Sequence, residues 1–181
     1  MRRLGLAAAL LAFGAIPAAG QHSGHHHPAP AAAPPQGYAG LETRRVKALS
    51  AEQEADLLAG RGMSLALAAE LNAYPGPLHV LELADALGLR PEQREAAEAL
   101  RARVAAEARL LGARLVQAEA ELDRLFAAAQ ADPASLAALT ATIGALQGRL
   151  REVHLAAHIE MRAALTEVQR ETYARLRGYR R

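Results

Sequence analysis

The 181-residue sequence contains no cysteine and no tryptophan, and aromatic residues make up only 3% of it. Without cysteine there are no disulfides, no thiolate metal sites and no cysteine nucleophile. An oxidising compartment permits disulfides without requiring them, so this absence leaves an exported location open. With so few rings the chain has no means of building a thick aromatic core. Recognisable catalytic arrangements are missing as well: there is no nucleophile elbow, P-loop, dinucleotide fingerprint or HExxH zinc motif. Beyond the first 20 residues the only serines are Ser23, Ser50, Ser64 and Ser135, each readable as a linker, cap or turn residue. Carboxylates run beside arginines, as from Glu95 to Arg101 and from Glu119 to Arg124, the pattern of a solvated helix face. Function must be argued from a site, and no enzyme site is visible, so the chain reads as not an enzyme.

What is present begins with an export signal over residues 1–20. Arg2 and Arg3 precede the apolar run from Leu4 to Ile16, and Pro17-Ala18-Ala19-Gly20 offers small residues for cleavage. The run is shorter than the roughly 20 residues that span a bilayer. The expected location is therefore periplasmic, reached through a cleaved signal peptide. The whole chain has 21 basic and 19 acidic residues, so losing Arg2 and Arg3 leaves equal numbers of each. A chain near neutrality gives no electrostatic ground for nucleic-acid binding. Arg175, Arg177, Arg180 and Arg181, with Tyr173 and Tyr179, read as a frayed basic terminus. Residues 21–40 form a linker in which His22, His25, His26 and His27 precede Pro28, Pro30, Pro34 and Pro35. That proline density excludes regular structure. The histidine tract either captures metal without defined geometry or merely solubilises a tail.

Residues 41–181 read as an all-α domain. A short helical region is expected from Leu41 to Leu58, with Ser50 and Gln53 spaced as a capping box. A second short helix is expected from Ser64 to Asn72, and a third from Leu78 to Leu87, stopped by Gly88. The main helix runs from Pro91 to about Gln130, interrupted only by Gly112 as a weak point. Leu100, Val104, Ala108, Leu111, Leu115, Ala118, Leu122 and Phe126 fall on one of its faces. A return helix from Pro133 to Ala164 carries a heptad seam of Leu136, Leu139, Ile143, Leu146, Leu150, Val153 and Ala157. The compact Asp132-Pro133-Ala134-Ser135 turn predicts that the two pair as a long antiparallel hairpin. A last helix follows from Glu167 to about Arg177. So thin a hairpin leaves apolar faces open, and the expected cover is a second copy in a homodimer. A monomeric helical bundle is the alternative.

Two segments start helices in a related way. In Leu165-Thr166-Glu167-Val168-Gln169, Thr166 stands at the N-cap and Gln169 three residues on. In Leu89-Arg90-Pro91-Glu92-Gln93, Pro91 suits the first helical turn. Paired Leu-x-x-x-Gln helix starts in an exported, Ala/Leu-rich helical chain resemble the LTxxQ family of small periplasmic proteins, of the Spy and CpxP type. The resemblance spans roughly Leu78 to Arg177, and Arg90 departs from its threonine. It implies an all-helical protein that binds unfolded or misfolded envelope proteins without ATP, or senses heavy metal, with a membrane-bound signalling partner possible in the second role.

The residues themselves offer a metal reading. His154, His158 and Met161 lie at i, i+4 and i+7 on one helix face. Imidazole and thioether donors suit nickel, cobalt, copper or zinc, so a transition metal is the one candidate ligand, and no cofactor is required. The stretch from Glu160 to Leu165 is similar to that of periplasmic cobalt–nickel sensors. That likeness implies Met161 as a metal ligand and, through Pro77-Leu78-His79, His79 as another. The sensors' further histidines correspond to positions near Leu83 and Ala157 here, and their glutamate to one near Arg101. A re-formed site of His79, His154, His158 and Met161 is therefore expected. The competing reading places His154 and His158 as boundary residues of the heptad seam. The chaperone reading instead uses apolar helix faces ringed by Arg101, Arg103, Arg109, Arg114, Arg149 and Arg151.

Overall fold

The computed structural model describes residues 37–179, and the segment read as an export signal, the histidine tract, Arg180 and Arg181 lie outside them. The described part is all-helical, with no strand among its residues. A 3-10 turn, Leu41–Thr43, precedes six α-helices: α1 Ala51–Ala59, α2 Leu67–Glu70, α3 Pro77–Glu82, α4 Pro91–Ala127, α5 Pro133–Ala164 and α6 Glu167–Leu176. None is long and apolar enough to cross a membrane.

The architecture is set by α4 and α5, of 37 and 32 residues, packed as the expected hairpin. Their rises are about 55 and 48 Å. Asp132 makes the reversal sharp: its side chain accepts from the N–H groups of Ala134 and Ser135, and Pro133 opens α5 without needing a donor. Along α4 the predicted face is buried from Leu100 to Ala118, with Val104 only partly covered. Toward the tip it opens, and Phe126 is 58% exposed. The reason is the third layer. α1 crosses α4 at Gly112, where a Cβ would collide with the Leu57 carbonyl. Near that crossing Val46, Leu57, Leu111, Leu115, Leu150 and Val153 form one buried cluster, and toward Leu100 α3 and α6 complete a second. Each such fully buried aliphatic side chain contributes about 1.5–3 kcal/mol. Gly112 is thus a packing position, where the sequence shows only a weak point in a helix.

The short N-terminal elements are briefer than expected. α1 begins after Ser50, which forms the predicted capping box with Gln53 (2.8 and 3.1 Å). The expected helix from Ser64 reduces to α2, with Met63 and Ser64 in the left-handed region. The third helix ends at Glu82, and a turn continues to Gly88, whose φ of 58° lets the chain swing into α4.

The two Leu-x-x-x-Gln starts are joined in space. Gln169 Oε1 accepts from the Thr166 N–H (2.9 Å), and Gln93 Oε1 accepts from the Arg90 N–H (3.1 Å). Each amide also donates to the other, at 2.9 and 3.0 Å. Gln93 donates to the Ala164 carbonyl (2.8 Å) and Gln169 to that of Leu87 (3.3 Å). The pair therefore caps two helix starts and ties the α3–α4 turn to the α5–α6 turn. Leu165 is buried beside it, and Leu89 packs against the same apolar cluster.

Candidate metal centre

Glu70 closes α2, and its carboxylate turns into the protein. The kink that aims it comes from Ala73, in the left-handed region, and from Pro75 and Gly76, which lead into Pro77 of α3. The residue is 6% exposed. Its Oε2 accepts from the Gly76 N–H at 3.2 Å. The hydroxyls of Tyr173 and Tyr179 donate to Oε1, the second at 3.0 Å, and Arg177 Nε lies 3.8 Å away. His79 Nδ1 is 3.2 Å from Oε1, and His158 Nδ1 is 3.6 Å from Oε2. Burial by itself opposes ionisation of Glu70. The tyrosine hydroxyls and His79 outweigh it and hold the carboxyl below its ordinary value. Burial, followed by the same carboxylate, pushes the Tyr173 hydroxyl well up, so it stays a donor.

These contacts fix the histidine protons. His158 Nδ1 lies 2.7 Å from the Tyr74 carbonyl oxygen. A carbonyl only accepts, so Nδ1 carries a ring proton, and in the neutral tautomer this fixes Nε2 is the lone-pair nitrogen. His79 is set in the same way by the Glu70 carboxylate, and Arg177 Nη2 approaches its Nε2 at 3.5 Å. Holding one ring nitrogen so that the other is left as a donor is how metal-binding histidines are oriented. His154, one turn before His158 on α5, is buried, and its Nε2 has no hydrogen-bond partner. Burial, then the neighbouring His158, lowers the tendency of this imidazole to take a proton.

His79, His154 and His158 line one cavity of about 640 Å³. Glycine brings the backbone close to it. A Cβ at Gly76 would lie 2.8 Å from His158 Cε1, and one at Gly62 would lie 3.8 Å from His154 Nδ1. The facing wall is α4, where Arg101, Val104, Ala105 and Arg109 repeat at helical spacing. Val104 packs against both apolar clusters, so the cavity sits where they meet.

Imidazole nitrogens beside a carboxylate are donors of the kind that suit nickel, cobalt, copper or zinc, and the buried His154 Nε2 has no protein partner. As they stand, no three His, Asp or Glu side chains among the described residues form a complete ligand set. Of the residues read from sequence, His79, His154 and His158 come together. Met161 does not join them: it is 1% exposed and packs with Val80, Leu100 and Tyr173 in the second apolar cluster. Glu70, Tyr173, Arg177 and Tyr179 were not legible as site residues. The terminus read as frayed is, up to Tyr179, folded onto Glu70, with Tyr173 only 1% exposed.

A protein-family model described as heavy-metal resistance matches residues 64–172, more than half of the sequence. The chain belongs to the heavy-metal resistance family. The match runs from the loop before α2 through most of α6, and so takes in Glu70 and all three cavity histidines. No curated protein and no solved structure matches the chain.

Proposed function

We propose that this chain is an exported metal-binding protein that takes a divalent transition metal ion, nickel, cobalt, copper or zinc, on the neutral imidazoles of its folded domain. The observation that carries the reading is the bond from His158 Nδ1 to the Tyr74 carbonyl, which leaves Nε2 as a lone-pair donor beside the cavity. His79 lines the same cavity, with Arg177 Nη2 approaching its Nε2 at 3.5 Å, and His154 stands one turn from His158. Glu70 acts through the histidines: it orients His79 and keeps the Tyr173–Tyr179 end of the chain folded over them. Membership of the heavy-metal resistance family supports the same ligand class. The ion supplies positive charge and open coordination positions, and the protein supplies orientation and a partly enclosed site.

The test uses the chain without residues 1–20 and with His22, His25, His26 and His27 changed to alanine. Calorimetric titration with the four metals should find one site per chain. The site should be lost in His79→Ala, His158→Ala. Absence of any binding once the tail histidines are gone would remove the reading.

A second reading, capture of unfolded or misfolded envelope proteins without nucleotide, is favoured by apolar side chains left open on the helices. Leu110, Ile159 and Val168 are 69%, 60% and 71% exposed. It predicts slowed aggregation of several unrelated clients at near-stoichiometric ratio, weakening as salt rises. A homodimer, periplasmic residence and a membrane-bound partner that reads the metal-loaded form complete the proposal.

A further inference from the structure

The cavity of about 640 Å³ falls within the range of roughly 300–1,000 Å³ typical of small-molecule sites. Its charge is one-sided. Arg61, Arg101, Arg109 and Arg177 line it, against two carboxylates, Asp56 and Glu70. Arg61 pairs with Asp56, and Arg177 Nε lies 3.8 Å from Glu70. Arg101 and Arg109 have no carboxylate partner among the described residues. Arg109 is also held in place. Its Nε donates to the Ala59 carbonyl at 3.4 Å, and its stem runs so close to the backbone that a Cβ at Gly60 would lie 3.0 Å from its Cγ. Its two terminal nitrogens have no protein partner among the described residues. Much of the remaining wall is apolar. Val104 and Ala105 stand between the two arginines on α4, while Leu67 of α2 and Leu78 of α3 line the cavity and are still 51% and 43% exposed. Buried His154 lines it too, and its unpartnered Nε2 is a polar atom that a ligand oxygen would satisfy.

A positioned guanidinium without a counter-ion, beside apolar side chains left open, fits one ligand chemistry. We propose that the cavity binds a medium-chain fatty acid, its carboxylate on the terminal fork of Arg109 and its alkyl chain against Val104, Leu67 and Leu78. The planar fork meets a carboxylate with two parallel N–H bonds. Arg101 adds a second positive charge to the same wall without having to touch the ligand. The alkyl chain takes Leu67 and Leu78 out of water, and each methylene covered strengthens binding about three- to fourfold. The inference goes beyond the metal reading and does not rest on it, because no ion takes part.

The test uses the tail-substituted chain without residues 1–20, in EDTA, titrated calorimetrically with decanoate below its micelle concentration. Decanoate should bind one to one, octanoate about tenfold more weakly, and acetate not measurably. Decanol, with the same chain and no charge, should bind at least about tenfold more weakly than decanoate. Arg109→Ala should weaken decanoate at least about tenfold, and Arg109→Lys should recover part of the loss, since it keeps the charge without the fork. Leu67→Gln, Leu78→Gln should weaken decanoate as well. Arg114→Ala, at an exposed arginine of α4 outside the cavity, should change nothing. Helical circular dichroism and thermal melting establish that each variant is folded. A folded parent chain that binds no decanoate would overturn the proposal. So would several equivalents bound regardless of Arg109→Ala, the mark of adsorption onto open helix faces. Inorganic phosphate or acetate binding as tightly as decanoate would overturn it too, because charge alone would then be recognised. Nickel binding without decanoate binding refutes this inference and leaves the metal reading standing; decanoate binding without nickel binding does the reverse.

Discussion

Gln93 and Gln169, 76 positions apart in sequence, exchange a reciprocal pair of side-chain hydrogen bonds at 2.9 and 3.0 Å while each also caps the start of its own helix. Removing one amide leaves the other buried and unpaired, so Gln169→Ala should cost about 1–3 kcal/mol. Thr166→Ala, which removes only the N-cap oxygen, should cost about 1 kcal/mol. Because the amides act as a unit, Gln93→Ala and Gln169→Ala should not add. Urea unfolding of the two single variants and the double variant should give a coupling of about 0.5–3 kcal/mol. Strict additivity would mean the two caps are independent.

Gly112 and Gly144 offer a paired test of the helix crossing. A Cβ at Gly112 meets the Leu57 backbone, whereas nothing lies within 4 Å of one at Gly144. Gly112→Ala should therefore push α1 off α4 and cost about 1–3 kcal/mol. Gly144→Ala should stabilise α5 by about 0.5–1 kcal/mol through helix propensity alone. Chemical denaturation distinguishes the signs.

That contrast marks how far the sequence was readable. The helix ends are local chemistry: Ser50 with Gln53, Thr166 with Gln169, Pro91 and Pro133 all act where spacing put them. The long faces of α4 and α5 follow from periodicity, which also brought His154 and His158 onto one side. Glu70 was not readable. In sequence it is one acidic residue in a short alanine-rich segment, and its meaning comes from tyrosines 103 and 109 positions downstream. Nor does a period distinguish the Arg101 that lines a cavity from an arginine facing open water. Met161 shares the helix face of His154 and His158, yet the cavity ends before reaching it. One face of a long helix passes several environments.

Glu70 should make the fold acid-sensitive. Its carboxyl is held below the ordinary value of 4.5, so the folded state stabilises the ionised form. The stability this adds is complete above the unfolded value and drains away as pH falls through the folded one. Glu70→Gln should be less stable than the parent at neutral pH and should show a flatter stability profile below about pH 4.5. Tyr173→Phe, which removes one hydroxyl from Oε1, should flatten the same part of the profile. Unchanged slopes in both variants would mean that the carboxylate carries no net stabilisation.

His154 acts in a neighbouring window with the same sign. Burial and His158 depress its affinity for a proton, so between the ordinary value of 6.5 and the lower folded value the unfolded chain binds more protons. Stability is then complete above about pH 6.5 and falls as the solution is acidified. His154→Leu should remove this component, making the variant less pH-dependent just below pH 6.5. Denaturant midpoints at half-unit pH steps would show it. A parent protein whose stability is flat across this range would mean that His154 accepts its proton as easily folded as unfolded.

The final prediction separates the cavity from the helix face on which Met161 was first read as a ligand. Met161 packs among Val80, Leu100 and Tyr173, while His158 lines the cavity with Nε2 free. Met161→Leu keeps volume and loses the sulfur, so it should cost less than about 1.5 kcal/mol of stability. It should leave nickel affinity unchanged. His158→Ala should abolish binding. Glu70→Gln should lower affinity by about 10- to 100-fold, the range for a group that orients a ligand. All three are measured on the chain lacking tail histidines. Loss of nickel binding in Met161→Leu at unchanged melting temperature would place the metal on the α5 face instead, on the other side of Ala157 from the cavity.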